Sequence, residues 1–340
     1  MEALIKSGTG RGEMSLQDVT EPVPTRGEVL IEISAAGICG TDLHIAAGEY
    51  PVKPPVILGH EFSGIIRELG ADVEGWRVGD RVTSVPFAVT CGVCVYCQSG
   101  QPGLCSGRRS YGSGVNGAFA KYLAVNASGL YRLPPGQSLH AGALTEPLAC
   151  VVKAVHEVGR AQAGVNGIVL GPGPFGLLAV QVARAAVCRV ALVGLRRDAQ
   201  RLQAGQALGA AIFHADDPDL GPQLAASFGQ AGADVVFECS GAGPAFDLAL
   251  QTARPQGRVV QVGLFGKPVT AALDLVVTKD LRVCGSFASS LASWQRALEL
   301  TGSGIVDPGR LISDIFPLAN WEAAFARAAG GEGLKVIIEP

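Results

Sequence analysis

The sequence predicts an α/β protein in two parts, one mainly β and one a doubly wound parallel sheet with helices on both faces. Three observations predict it. Up to about residue 140 the chain holds short β-rich runs broken by Gly and Pro, with no long helical period. From residue 151 apolar runs alternate with Ala-rich stretches, the βαβ pattern of a parallel sheet. The length, 340 residues, suffices for two domains of ordinary size.

Composition narrows the function classes before any motif is weighed. A net charge of −3 with 17% charged residues leaves no basic stripe for nucleic acid. No apolar run approaches the ~20 residues of a membrane span, and the start, Met1-Glu2-Ala3-Leu4-Ile5-Lys6, reads as a strand in place of a signal peptide. The expectation is a cytoplasmic protein with no nucleic-acid or membrane partner. The nine cysteines are odd in number and four are tightly clustered, which favours metal in a reducing compartment over disulfides. Cys150, Cys188, Cys239 and Cys284 stand in apolar segments and read as small buried side chains.

In the mainly β part, 28–33 reads as a strand set off by Pro22, Pro24 and Gly27, and Gly79-Asp80 as a turn before a strand at 81–83. Between these lie Cys39-Gly40-Thr41-Asp42-Leu43-His44 and Gly59-His60-Glu61. Thiolate, imidazole and carboxylate together bind zinc tightly while leaving a position open for water or substrate. Cys91, Cys94, Cys97 and Cys105 follow, separated by two, two and seven residues. Four such thiolates close a tetrahedral zinc site from one loop and replace a core that so short a lobe cannot build. An iron–sulfur cluster of the bacterial ferredoxin kind needs three residues before the last Cys and a Pro after it, and neither occurs. A closed four-thiolate site has no catalytic position. Residues 119–122 read as a further strand, and Glu146-Pro147 as a helix start, where the carboxylate suits the dipole and Pro loses no hydrogen bond.

The second part opens with a buried strand at 167–170, then Gly171-Pro172-Gly173-Pro174-Phe175-Gly176 and a helix at 177–186. Between strand and helix, the first glycine makes the turn, the second lets backbone approach a pyrophosphate, and the third lets helix and strand pack. The phosphates then meet free N–H groups at the helix start. The next strand, 189–193, ends at Gly194 where an NAD-binding chain carries an acid. Arg196 and Arg197 follow and suit the 2′-phosphate of NADP, so NADP is favoured over NAD. Asp198 either pairs with an Arg or itself reaches the ribose. Strands at 233–241 and 257–263 bring Ser240, Gly241, Val262 and Gly263 to carboxyl ends, where a dinucleotide lies. A last strand at 281–287, helices at 294–300 and 321–328, and a strand at 335–338 complete the chain.

The segments Gly-Ile-Cys39-Gly-Thr41-Asp-Leu-His44 and Gly-His60-Glu61-Phe-Ser-Gly resemble the signature of the zinc-dependent medium-chain dehydrogenases, particularly the sorbitol and threonine dehydrogenase branch. The four-cysteine lobe, Glu146-Pro147 and the glycine turn stand where that family has them, so the resemblance covers nearly the whole chain. It implies a GroES-like catalytic domain at 1–146 and 287–340, with a zinc lobe at 91–105, and a Rossmann domain at 147–286. It implies one catalytic and one structural zinc per subunit, the catalytic one on Cys39 and His60 with Glu61 and Glu146 sharing or exchanging the third position. Thr41 would take the alcohol proton, His44 would pass it to solvent, and Asp42 would orient His60. A homodimer or homotetramer is also implied. The expected reaction is hydride transfer from a small-molecule secondary alcohol, diol or polyol to NADP or NAD. Phe287-Ala288-Ser289 stands where polyol dehydrogenases carry an Arg-Tyr pair, which argues against long polyols. Alternatives are a threonine dehydrogenase-like activity and a non-catalytic regulator that binds zinc and NADPH. His140, His156 and His214 match no role.

Overall fold

The computed structural model describes residues 1–229, 232–331 and 333–340. They form two compact units, 1–149 with 290–340, and 150–289.

In the first unit the strand Glu28–Gly37 is central. It pairs antiparallel with Glu61–Leu69, Tyr122–Asn126 and Lys335–Glu339. Its alternation turns Val29, Ile31 and Ile33 inward and leaves Leu30, Glu32 and Ser34 partly exposed, as a half-buried strand requires. The inward set packs with Phe62, Ile66, Val82, Leu123, Val125 and Phe325 in one core, each such side chain worth ~1.5–3 kcal/mol of burial. Register sets Gly37 opposite both Glu61 and Ile337. The segments around Cys39, His60 and Lys335 therefore meet at one end of three neighbouring strands.

Two elements here differ from the sequence reading. The helix Gly40–Ala47 interrupts the β run: Cys39 caps it in extended conformation, the Asp42 carboxylate accepts the Cys39 N–H at 2.9 Å, and left-handed Gly48 ends it. Eight residues are too few for a helical period to stand out. The strand expected at 119–122 runs instead as Tyr122–Asn126. Phe119 is occupied elsewhere, since its N–H bonds Leu58 O and its carbonyl takes the Leu4 N–H, both at 2.9 Å.

The second unit holds a six-stranded sheet, all parallel, in the spatial order Ala211–His214, Arg189–Gly194, Asn166–Leu170, Ala233–Glu238, Ala253–Gln261, Arg282–Gly285. The topological switch point falls between Asn166–Leu170 and Ala233–Glu238, the crevice where such sheets bind ligands. Ile168, Leu170, Ala191, Val193, Val236 and Val259 form its core. The helix Pro174–Ala185 starts at the second glycine of the turn, with Gly173 as N-cap and Pro174 in the first turn. Ala233–Glu238 ends earlier than the sequence suggests because the Glu238 carboxylate accepts the N–H groups of Ser240 and Gly241, at 2.7 and 3.0 Å, and turns the chain.

Candidate active site

Cys39 follows the central strand, and Glu61 begins the strand paired with it. Their Sγ and carboxylate oxygen, with a ring nitrogen of His60, lie within 4.8 Å of one another. Asp42 is fully buried on the helix Gly40–Ala47 and faces His60 Nδ1 at 3.5 Å, which leaves Nε2 open to a metal. Burial disfavours charge on His60, but Asp42 and then Cys39 outweigh it and hold the ring well above its ordinary range. Burial pushes the Cys39 thiol up, the Glu61 charge adds to this, and His60 and Lys335 oppose it. The donor set fits zinc on one further observation: buried Glu61 Oε1 has no hydrogen-bond partner, while Oε2 forms an ion pair with Lys335. A buried acceptor without a donor is costly unless a cation meets it.

Lys335 was not legible as part of this centre. Its side chain is 4% exposed, and Nζ also donates to Ile38 O at 2.8 Å, directly before Cys39. Gly37 makes room for the pair, because a Cβ there would stand 2.3 Å from Glu61 Oε2 and 2.9 Å from Lys335 Cε. Glu146 is buried in the first turn of Thr145–Val152 and lies outside the 4.8 Å cluster. Thr41 Oγ1 is 3.7 Å from Cys39 Sγ. His44 sits three residues further along the same helix, half-buried, with Nδ1 2.8 Å from Glu49 Oε2. His140 pairs with Glu339 at 2.6 Å, and none of His140, His156 and His214 joins either ligand cluster.

The sulfurs of Cys91, Cys94, Cys97 and Cys105 form the second cluster within 4.8 Å. The N–H groups of Val93 and Cys94, then neighbouring sulfurs, bring Cys91 down to about 6, while burial and the Cys94 sulfur push Cys97 up to about 11. Thiolate charge is thus unevenly shared until a dication takes all four. Cys105→Ser is expected to remove about one zinc ion per chain and to open 91–105 to proteolysis, with the Cys39 centre still loaded; metal analysis and limited digestion check both.

The glycine turn borders a cavity of about 730 Å³ at the carboxyl ends of the parallel strands. Gly171 takes φ +95° and packs against Ser240, and a Cβ on Gly176 would lie 1.9 Å from Gly171 O. At Gly173 a Cβ would meet nothing within 4 Å, so the turn is open there, as close backbone approach of a pyrophosphate at a helix start requires. Gly194, Arg197, Asp198 and Ser240 line the cavity. Arg196 does not: its guanidinium pairs with Asp217 at 3.3 Å and Asp216 at 4.0 Å. Asp198 caps its own turn through the Leu195 N–H at 2.9 Å. Arg201, which the sequence reading missed, also lines the cavity, and its signal was its place four residues after Arg197, in the first turn of the helix Ala199–Ala207. Gly241 (φ +68°) and Gly263 pack against each other, and Val262 and Gly263 donate to Glu238 O.

A dinucleotide cradle, a three-donor metal centre and a closed thiolate lobe in one chain define a zinc-containing nicotinamide oxidoreductase. Comparison with known proteins agrees. Residues 25–135 match the alcohol dehydrogenase GroES-like domain, and 174–303 the zinc-binding dehydrogenase domain. The chain is 39% identical to the sorbitol dehydrogenase of Halalkalibacterium halodurans over 100% of its own length and 99% of that protein's. It superposes on a Sinorhizobium meliloti structure described as a zinc-binding dehydrogenase bound to NADP with a TM-score of 0.91, 33% identity, and 100% and 99% of the two chains covered. For the 2R,3R-butanediol dehydrogenase of Bacillus subtilis the TM-score is 0.90 at 29% identity, with 100% and 99% covered. The chain belongs to the zinc-dependent medium-chain dehydrogenases. It is an enzyme of that oxidoreductase class, with zinc and a nicotinamide dinucleotide as cofactors. Among the described residues no helix is long and apolar enough to cross a membrane.

Proposed function

We propose that the enzyme oxidises a small secondary alcohol or diol, within the wider class that includes polyols, and that it prefers NADP to NAD. The observation that carries this is the convergence of Cys39, His60 and Glu61 with one carboxylate oxygen unpartnered. Cys39 and His60 hold the catalytic zinc, and Glu61 and Glu146 share the third protein position. When bound, zinc favours loss of the alcohol's proton and the nicotinamide accepts hydride. Thr41, beside Cys39, receives that proton, and His44 on the same helix face hands it to water. Glu49 on Nδ1 keeps His44 Nε2 available for the exchange. Asp42 holds the His60 ring in place.

For the substrate, the names of the relatives point to polyols and vicinal diols. Against long polyols stands 287–289: Lys153 Nζ fixes the Phe287 carbonyl at 2.9 Å, and this segment offers no guanidinium for distal hydroxyls. For the cofactor, Arg197 and Arg201 supply two cations to the cavity. Arg197→Ala or Arg201→Ala should lower the NADP⁺-to-NAD⁺ ratio of kcat/KM by about 10-fold or more, the worth of a charged hydrogen bond, while Arg196→Ala shifts it by less than about 2-fold. The sheet edge at Arg282–Gly285, with Leu273, Val277 and Val283 exposed, supports a homodimer or a higher oligomer. The gathering of four of the nine cysteines into one metal-ligand cluster supports a reducing compartment, the cytoplasm.

The test is reduced-cofactor formation by zinc-replete protein with NADP⁺ and NAD⁺ in parallel, against short diols, secondary alcohols, polyols and threonine. Turnover of short diols with NADP⁺ is the expected result. A clear preference for threonine, for long polyols or for NAD⁺ overturns the corresponding part of the reading.

A further inference from the structure

One buried carboxylate of the second unit takes part in neither the zinc centre nor the arginine pair. Glu238 has 0% exposure at the carboxyl end of Ala233–Glu238. Oε1 accepts the Ser240 N–H at 2.7 Å and the Ser240 hydroxyl; Oε2 accepts the Gly241 N–H at 3.0 Å and Gln261 Nε2 at 2.5 Å. Its main-chain carbonyl takes the N–H groups of Val262 and Gly263 at 2.8 and 3.0 Å. The partners of the side chain are all donors, which suits the ionised, acceptor-only carboxylate. None of them carries a charge.

Of the groups that Glu238 ties together, Ser240 reaches the cofactor cavity, and the others lie behind it. Cys239 lines that cavity with Ser240. Gly171, at the head of the glycine turn, packs so closely that a Cβ would stand 2.8 Å from Ser240 Cβ. Gly263 is as tight, with a Cβ reaching 2.2 Å from Gly241 N and 3.0 Å from Glu238 Oε2. The side chain therefore holds the Ser240–Gly241 turn and the Gln261 side chain together, and Ser240 in turn packs against Gly171. Across the switch point, the arginines stand beyond Arg189–Gly194, the adenosine side, so the nicotinamide half falls toward Ala233–Glu238 and Ala253–Gln261. In a low-dielectric interior an uncompensated charge is felt over several residues.

We propose that Glu238 is a positioning residue for the cofactor: it fixes the Ser240–Gly241 turn at the cofactor cavity, and its unneutralised charge favours the cationic oxidised nicotinamide over the neutral reduced ring. The proposal rests on the dinucleotide occupying this cavity. Preferential binding of the oxidised form favours loading of NADP⁺ and release of NADPH, and leaves the overall alcohol–carbonyl equilibrium unchanged.

The experiment is calorimetric titration of zinc-replete protein with NADP⁺ and with NADPH, for wild type, Glu238→Gln and Glu238→Asp. Glu238→Gln keeps the shape but sets an amide NH₂ against a ring of donors. It should bind both forms about 10-fold or more weakly, and the oxidised form should lose a further ~3- to 10-fold. Glu238→Asp should bind weakly with the wild-type ratio, since the charge remains. A wild-type ratio in folded Glu238→Gln of normal zinc content overturns the proposal, because a purely structural role weakens both forms alike. Gln261→Leu is a second arm should Glu238→Gln not fold: both affinities fall with the ratio retained, and unchanged affinities overturn the positioning role. Wild-type protein that binds neither dinucleotide sinks the cavity assignment itself, a separate and visible failure.

Discussion

Cys39→Ser protein is expected to hold about one zinc ion fewer per chain than wild type and to lose at least ~10³-fold in kcat/KM on its best alcohol. Serine preserves the extended N-cap of Gly40–Ala47 and leaves the Cys39 N–H on Asp42, so the helix stays in place. What disappears is the thiolate sulfur that zinc binds tightly, and a serine hydroxyl is a much weaker ligand. The lobe zinc is unaffected, because its four sulfurs are a separate cluster. Dinucleotide affinity, governed by the second unit, should change by less than about 2-fold. Thr41→Ala is the matching control: zinc is retained while kcat falls by about 10²-fold, the worth of a positioned proton acceptor. Metal analysis with steady-state assays separates the two variants, and full zinc with full turnover in Cys39→Ser would falsify the catalytic ligand set. A pH dependence follows from the same group. Burial and Glu61 hold the metal-free Cys39 thiol above its ordinary range, so metal must displace its proton and zinc affinity falls as pH falls.

The parts of this enzyme that were legible in the sequence are those whose chemistry is local. Cys91, Cys94, Cys97 and Cys105 lie in one short loop, and Gly171, Gly173 and Gly176 act within one turn, so spacing alone carries their roles. Arg196 and Arg197 were adjacent in sequence, yet the chain turns after Gly194 and sends one to Asp216 and Asp217 and the other to the cavity. Side-chain direction in so tight a turn depends on carboxylates some 20 positions later, which no local pattern contains. The helix Gly40–Ala47 was hidden by its shortness. Lys335 is the extreme case: it reaches Glu61 only because Lys335–Glu339 lies antiparallel to Glu28–Gly37, with Ile337 opposite Gly37. Strand register over some 300 residues is a tertiary fact.

Lys335→Met should be the most destabilising single change at the catalytic centre, by about 3–5 kcal/mol, because it strands a buried carboxylate. Neither partner can turn to water: the side chains of Lys335 and Glu61 are 4% and 0% exposed, and Gly37 packs against both. Burial alone would lower the proton affinity of Lys335, but Glu61, Cys39 and Asp42 together raise it above 10.5. A raised lysine contributes its stability in full below the unfolded value and loses it only as pH climbs through the folded one. The loss on substitution should therefore be flat between about pH 6 and 9. Urea denaturation of zinc-stripped protein measures it, and the double variant Lys335→Met/Glu61→Gln should recover at least about half by removing the stranded charge. A single variant within about 1 kcal/mol of wild type would mean that the pair does not hold the strands together. The same pair bears on the proposal that Glu61 and Glu146 share the third ligand position. With Lys335 gone, Glu61 is released to zinc, so Glu146→Ala should cost less zinc affinity in the Lys335→Met background than in wild type; an equal cost in both would show that Lys335 does not govern the exchange.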